Sequence, residues 1–133
     1  MLRDPERHAE AAAWLTRAHA DLRAADLDLT ATPPLVEDAL FHCQQAVEKA
    51  LKSLLTAHEH MFRKTHDLVE LGRSSCEVAP ELEPLLARAA PLTEYAWAYR
   101  YPGEWVPPEP DEGHEALEVA RQVVSEVERR LSG

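Results

Sequence analysis

Apolar residues recur at spacings of three and four along most of the chain, which is the pattern of amphipathic α-helices. In a first segment, from about Pro5 to Leu29, one stripe is formed by Trp14, Ala18, Leu22, Ala25 and Leu29. Thr32-Pro33-Pro34 follows it. Because a proline disfavours helical geometry in the preceding residue, the first helix is predicted to end before this tripeptide.

A second helix is predicted from about Leu35 to His58, with a wide apolar arc. The arc comprises Val36, Leu40, Cys43, Val47, Ala50, Leu51 and Leu54. Such a wide face is typical of a central helix that is covered on more than one side. Glu48 and Lys52 lie four residues apart, and as a helical pair they are expected to contribute at most about a few tenths of a kcal/mol.

A short third helix is predicted after the connecting loop. Thr65 is its expected N-cap, Asp67 lies near its positive end, and the helix is expected to end near Arg73. The segment from Gly72 to Ala79 is expected to form a turn.

A fourth helix is predicted to begin near Pro80 or Pro84, since proline is tolerated in a first helical turn. Its apolar positions are Leu82, Leu85, Ala89, Leu92, Ala96 and Tyr99. They keep their phase across Pro91, so we expect one helix with a kink at this proline.

The segment from Arg100 to Pro110 contains four prolines and a glycine and is not expected to be helical. Asp111 is predicted to cap a last helix that ends near Leu131. Its inward positions are Ala116, Ala120, Val123, Val127 and Leu131. The fold class is therefore all-α, an antiparallel bundle of four long helices and one short helix, and residues 1–133 are expected to form a single domain.

The net charge of the chain argues against one class of partner, duplex nucleic acid. The chain carries a formal net charge of −10, whereas proteins that coat duplex nucleic acid need a surplus of lysine and arginine to displace counterions. Non-specific binding to duplex DNA is therefore not expected. No apolar stretch is long enough to span a bilayer, so we expect no membrane association.

The cysteine content and the first residues both favour a cytoplasmic location. Cys43 and Cys76 are too few for a disulfide framework and are expected to be free thiols. The segment from Met1 to Glu10 has no apolar core and does not have the pattern of a secretory signal.

Four segments, taken in order, resemble the HEPN family over nearly the whole chain. The segment from Phe41 to Leu55 resembles the second helix of that family, and Lys64 to Leu71 follows it at the family's distance. Tyr99-Arg100-Tyr101-Pro102 resembles the signature at the end of the family's fourth helix, and Trp14 to Leu22 fits its first helix.

The resemblance implies a bundle of four or five helices, usually dimeric, with roles related to nucleotides or RNA. Small free-standing members are often encoded beside a minimal nucleotidyltransferase, and similar helices cap the kanamycin nucleotidyltransferases. By resemblance we therefore expect a non-catalytic homodimer that binds a nucleotide, or that is the partner of a nucleotidyltransferase in a toxin–antitoxin-like pair. No cofactor is expected. A purely structural dimeric bundle is the alternative that binds no ligand.

A second alternative is an RNase toxin. Many HEPN proteins cleave RNA without metal, using an arginine and a later histidine with four to six residues between them. Arg100 matches that arginine, but residues 105–107 are Trp, Val and Pro. The RNase alternative would need a displaced histidine such as His66 or His114. We therefore predict no catalytic residue.

Positive charge gathers at one place in this acidic chain, around the start of the third helix. The candidate nucleotide- or anion-binding residues are Arg63, Lys64 and His66, together with Arg100 if the end of the fourth helix packs alongside them. Free backbone N–H groups at a helix N-terminus favour an anion, although an ordinary solvated loop is the alternative. Nearby, His58-Glu59-His60 offers two histidines without a third ligand at metal spacing, so no metal site is predicted.

Two further sets of residues are candidates for contacts. A polar face of the second helix carries His42, Gln45, Lys49 and Lys52. It is interpreted either as a surface for a ligand or a partner, or as a solvated face. Near the end of the fourth helix lie the aromatic residues Trp97, Tyr99, Tyr101 and Trp105. They are interpreted as a packed interface or as a stacking platform for bases, with packing favoured.

Overall fold

The structure is a computed structural model that describes residues 4–99, 102–103 and 106–132, and these residues form helices without any strand. The α-helices are α1 (Pro5–Thr30), α2 (Val36–Ala57), α3 (Leu68–Val78), α4 (Glu83–Ala89) and α5 (Pro110–Ser132). Two 3₁₀ helices, Pro80–Leu82 and Ala90–Ala96, flank α4. The predicted all-α bundle is confirmed, and α1, α2 and α5 begin and end close to the predicted residues.

Helix α2 is the centre of the bundle, with α1, α3 and α5 packed around it. At one end, Ser53 Oγ donates a hydrogen bond to the carbonyl of Ala11 over 2.7 Å. At the other end, a Cβ placed on Gly113 would lie 2.7 Å from Leu29 Cδ2 and 3.3 Å from Val36 Cγ1. Helix α1 therefore runs antiparallel to α2, and α5 runs parallel to α2.

The core lies along the wide apolar face of α2. Its largest fully buried side chains are Leu40, Leu51, Leu54, Leu55, Leu71, Gln44, Val47, Val123, Val124, Val127, Cys43 and Ser53. Cys43 and Cys76 are both free thiols, as predicted. None of the described helices has both the length and the apolar content that crossing a membrane requires.

The boundaries predicted for the third helix were wrong. Asp67, and not Thr65, caps α3, because the Asp67 carboxylate accepts hydrogen bonds from the backbone N–H groups of Val69 and Glu70. The helix also continues past the expected stop at Gly72 to Val78. A glycine inside a helix costs only about 1 kcal/mol, which the packing of the buried apolar face of α3 offsets.

The predicted fourth long helix is replaced by the short helix α4 between two 3₁₀ helices. Pro91 has no N–H group and cannot donate to the carbonyl of Ala87, so the α-helical ladder is interrupted there. The chain tightens into the 3₁₀ helix Ala90–Ala96 instead of continuing as a kinked helix. Leu92 and Ala96 are nevertheless buried as predicted.

Candidate functional site

A polar seam joins α1 and α2. From α2, His42 Nδ1 lies 2.8 Å from Oδ1 of Asp21, and Lys49 Nζ donates to Oδ2 of the same carboxylate over 2.6 Å. Asp21 belongs to α1 and is buried. The seam therefore ties two of the predicted contact residues to a neighbouring helix.

A second buried cluster is centred on Glu48, which is only 3% exposed. Its carboxylate accepts hydrogen bonds from Lys52 Nζ at 2.9 Å and from Gln44 Nε2 at 3.1 Å. His66 Nδ1 lies 2.7 Å from the same carboxylate. Burial by itself would raise the pKa of Glu48, but the bonds from Lys52, His66 and Gln44 outweigh burial and hold this pKa below its usual value.

The interpretation of the polar face of α2 as solvated was wrong for the two lysines. Lys52 is only 7% exposed, and Lys49 is half-buried on Asp21. Gln45 is half-buried and donates to the buried amide of Gln44 over 2.7 Å. Because α2 is covered on several sides, Gln45, Lys49 and Lys52 meet other side chains. The described contacts of this face therefore lie within the bundle.

The basic loop before α3 also pairs with carboxylates. Arg63 Nε donates to both carboxylate oxygens of Glu70, at 2.9 and 2.8 Å. Lys64 is exposed, and His66 lies against Glu48. Arg100, the fourth predicted anion-binding residue, lies outside the described residues.

The N-terminus of α3 does not have the geometry that was predicted for an anion site. The N–H groups of Val69 and Glu70 donate to Asp67, and that of Leu68 donates to Thr93 Oγ1 over 3.0 Å. These donors are occupied by side chains of the chain itself. Nucleotide binding by Arg63, Lys64, His66 and Arg100 thus stays a prediction, without the help of this helix end.

The His58-Glu59-His60 segment does not assemble into a cluster of ligands. His60 Nε2 lies 2.7 Å from Glu77 Oε2, and this bond raises the pKa of His60. His58 is exposed at the end of α2. His58 therefore belongs to an ordinary helix end, and His60 belongs to an ion pair near the surface.

Trp97 and Tyr99, two of the predicted aromatic residues, line one cleft. Tyr95 and Tyr99 stack with their ring centroids 6.3 Å apart, and Tyr95 Oη donates to a carboxylate oxygen of Glu112. Trp97 lies between them in sequence and keeps 53% of its surface exposed. Tyr101 and Trp105 lie outside the described residues.

The cleft has a volume of about 330 Å³ and an acidic rim. Its lining residues are Glu37, Asp38, Phe41, Tyr95, Trp97, Ala98 and Tyr99. Sequence reasoning missed Tyr95 here, and on the side of α2 it missed Glu37, Asp38 and Phe41. Their helical spacing placed them together on α2, but nothing in the sequence indicated that residues 95–99 pack opposite them.

One group of side chains has the composition of a metal site. Among the described residues, Asp28, Asp38 and His42 each offer one ligand atom, and these atoms all lie within 4.8 Å of one another. Burial, followed by the neighbouring Asp38 carboxylate, raises the pKa of Asp28 to about 6. Sequence reasoning missed this group because Asp28 comes from α1 and the other two residues come from α2.

The candidate catalytic residues among the described part of the chain are Cys43, His66 and His114. They do not form a pair of nucleophile and base. Burial raises the pKa of the Cys43 thiol to about 12, so Cys43 is not a nucleophile near neutral pH. His114 is exposed on α5, and His66 lies against Glu48.

Comparison with known proteins gives one result. A family model of the HEPN domain matches residues 11–130. No curated protein and no solved structure matches the chain significantly. The matched segment runs from the first turns of α1 almost to the end of α5, so it includes the central helix, the acidic cleft and the polar seam. The chain therefore belongs to the HEPN domain family.

Proposed function

We propose that this chain is a non-catalytic HEPN module that binds a minimal nucleotidyltransferase through the acidic aromatic cleft. The observation that carries the proposal is the exposure of Trp97 at this cleft. The nature of the partner rests on the resemblance of the chain to HEPN proteins that are encoded beside such enzymes.

The aromatic residues give the cleft the composition of a binding surface. Tryptophan and tyrosine are enriched in interface cores, where a single buried tryptophan can carry about 2 kcal/mol or more of binding energy. Trp97 is half exposed in the single chain, whereas the neighbouring Tyr95 and Tyr99 are held by stacking. A partner that covers Trp97 would bury a large apolar side chain.

The acidic rim selects the chemistry of the partner. Glu37 and Asp38 line the same cleft as the aromatic rings. A lysine or arginine of the partner would pair with these carboxylates and lie over an aromatic face, where a cation is attracted by the ring. A bare phosphate would instead be repelled by the rim. This charge favours a basic protein surface over a free nucleotide in the cleft.

The sequence supports the non-catalytic part of the proposal. The histidine that RNase members carry shortly after their arginine is replaced here by Trp, Val and Pro at residues 105–107. A partner-binding role needs no such pair. RNA cleavage is thus the competing outcome.

Co-purification tests the proposal. The chain is co-expressed with the nucleotidyltransferase encoded next to its gene, and a tag on the enzyme is used for purification. We expect the wild-type chain to co-purify and Glu37→Lys to be lost, because the substitution reverses the charge of the rim. Glu128→Lys makes the same charge change near the far end of α5 and should co-purify like wild type. Failure of the wild-type chain to co-purify, equal recovery of both variants, or a neighbouring gene that encodes no such enzyme would contradict the proposal.

A further inference from the structure

We propose that Asp28, Asp38 and His42 bind one divalent transition-metal ion where the end of α1 meets the start of α2. The site shares Asp38 with the acidic cleft, but its metal-binding test does not need the partner protein. It departs from the sequence-based expectation of no metal site, which considered only ligands that are close together along the chain.

The three ligand atoms are already close to binding geometry. They lie within 4.8 Å of one another, and bonds of about 2.0–2.2 Å to a shared ion would bring such atoms to separations of roughly 3–4 Å. Asp38 and His42 are one helical turn apart on α2, so their side chains share a face. Asp38 is exposed, so its carboxylate is free to rotate toward the other two ligand atoms.

His42 is held in the orientation that a metal ligand needs. Its Nδ1 lies 2.8 Å from Oδ1 of Asp21, which is itself fixed by Lys49 at 2.6 Å. Because a carboxylate can only accept, Nδ1 is assigned as the donor, and Nε2 keeps its lone pair. Nε2 faces the site, 3.5 Å from Asp38 Oδ2. Metal-binding histidines are commonly oriented by a carboxylate on the other ring nitrogen in this way.

Asp28 has a carboxylate oxygen that lacks a partner. Oδ2 is buried, and no hydrogen-bond donor among the described residues reaches it. The backbone of Asp28 is fixed, since its carbonyl accepts from the N–H of Leu35 over 2.9 Å. A buried oxygen without a donor is costly, and the Asp28 carboxylate lies beside that of Asp38. A bound cation would satisfy both oxygens.

The donor set indicates the class of ion. Mg²⁺ and Ca²⁺ prefer sites made of oxygen atoms alone, whereas an imidazole suits Zn²⁺ and neighbouring first-row ions. Three protein ligands leave at least one coordination position open to water or to an oxygen atom of a ligand. Asp38 also lines the acidic cleft, so the proposed metal site lies beside the cleft.

Titration of the full-length, chelator-treated protein with Co²⁺ tests the site, because coordinated Co²⁺ absorbs visible light. We expect one Co²⁺ per chain, displacement by Zn²⁺, and a higher melting temperature with Zn²⁺. Asp38→Asn should weaken binding by at least about tenfold and abolish the rise in melting temperature. Asp26→Asn removes an exposed carboxylate of α1 that accepts a hydrogen bond from Arg121, and this variant should bind like wild type.

Two results would overturn the proposal. One is wild-type protein that binds no stoichiometric Co²⁺. The other is equal binding by wild type and Asp38→Asn, which would assign the ion to other histidines at the surface. Asp38 is exposed, so the variant should fold, and its melting curve verifies this. His42→Gln is a second ligand variant and should show the same loss.

Discussion

Lys52 and Glu48 form an ion pair inside the bundle, with 2.9 Å between Nζ and Oε2. Neither side chain is a surface group, since their residues are 7% and 3% exposed. Lys52 Nζ also lies 5.4 Å from the centroid of the Trp14 ring. The pair thus connects α2 to α1. Because it is buried, its contribution to the free energy of unfolding differs from the few tenths of a kcal/mol expected for a solvated helical pair.

Glu48→Gln is expected to lower the free energy of unfolding by about 3 kcal/mol at pH 7, because it leaves the ammonium group of Lys52 buried without a counter-charge. Urea denaturation of both proteins measures the difference. Glu115→Gln, on an exposed position of α5, should change stability by less than about 0.5 kcal/mol. A similarly small effect for Glu48→Gln would mean that water reaches the pair.

The same variant has a defined pH dependence. The pKa of Glu48 is held below its usual value in the folded chain, so the folded state binds this proton less readily than the unfolded state. Its stabilising contribution is present above the usual glutamate pKa, about 4.3, and is lost as the pH falls through the lower folded value. The stability difference between wild type and Glu48→Gln should therefore be constant from pH 7 to about 5 and shrink below about pH 4.

Asp67→Ala is expected to destabilise the protein by about 1 kcal/mol, because two backbone N–H groups of α3 lose their acceptor. Thr65→Ala serves as the comparison. Thr65 Oγ1 accepts only from the N–H of Asp67 among the described contacts, so the effect should be smaller. Thermal unfolding of both variants tests the assignment. A larger loss in Thr65→Ala would favour the cap that the sequence predicted.

The boundaries of α1, α2 and α5 could be predicted because strong apolar periodicity and flanking prolines coincide there. The boundaries of α3 could not. Thr65 and Asp67 are both good capping residues, and only tertiary contacts, such as that between the N–H of Leu68 and Thr93, decide between them. The position of Pro91 correctly predicted where the helix geometry changes. It did not predict that the change is to a 3₁₀ helix instead of a kink.

The candidate site was less predictable than the fold. Helical spacing correctly grouped His42 and Lys49 on one face, but it could not reveal that Asp21 of α1 would bind both of them. The cleft depends on a contact between α2 and residues 95–99 that are far apart in sequence. A periodic pattern specifies which face is apolar, whereas the partner of each polar residue is set by how the helices pack.

Purified protein should not cleave single-stranded RNA, because the histidine expected after Arg100 is absent. Incubation with a fluorescent RNA, with and without a chelator, measures this. Wild type and Arg100→Ala should both leave the RNA intact. Cleavage that disappears in Arg100→Ala would instead identify the chain as an RNase that uses a displaced histidine.

We also expect the chain to be a homodimer in solution. Several large apolar side chains are exposed in the single chain, including Leu27, Leu35 and Val69. Burial of such side chains between two copies would remove apolar surface from water. Light scattering at micromolar concentration should give twice the 14.9 kDa mass of the chain. A mass equal to that of the single chain would contradict this expectation.

Calorimetric titration of the purified nucleotidyltransferase into wild type, Trp97→Ala and Met61→Ala tests partner binding through the cleft most directly. Met61 is 84% exposed and lies in the loop after α2, whereas the cleft lies at the start of that helix. We expect Trp97→Ala to raise Kd about thirty-fold, which corresponds to about 2 kcal/mol, and Met61→Ala to leave Kd unchanged. An equal Kd for wild type and Trp97→Ala, or no heat of binding with wild type, would contradict binding through the cleft.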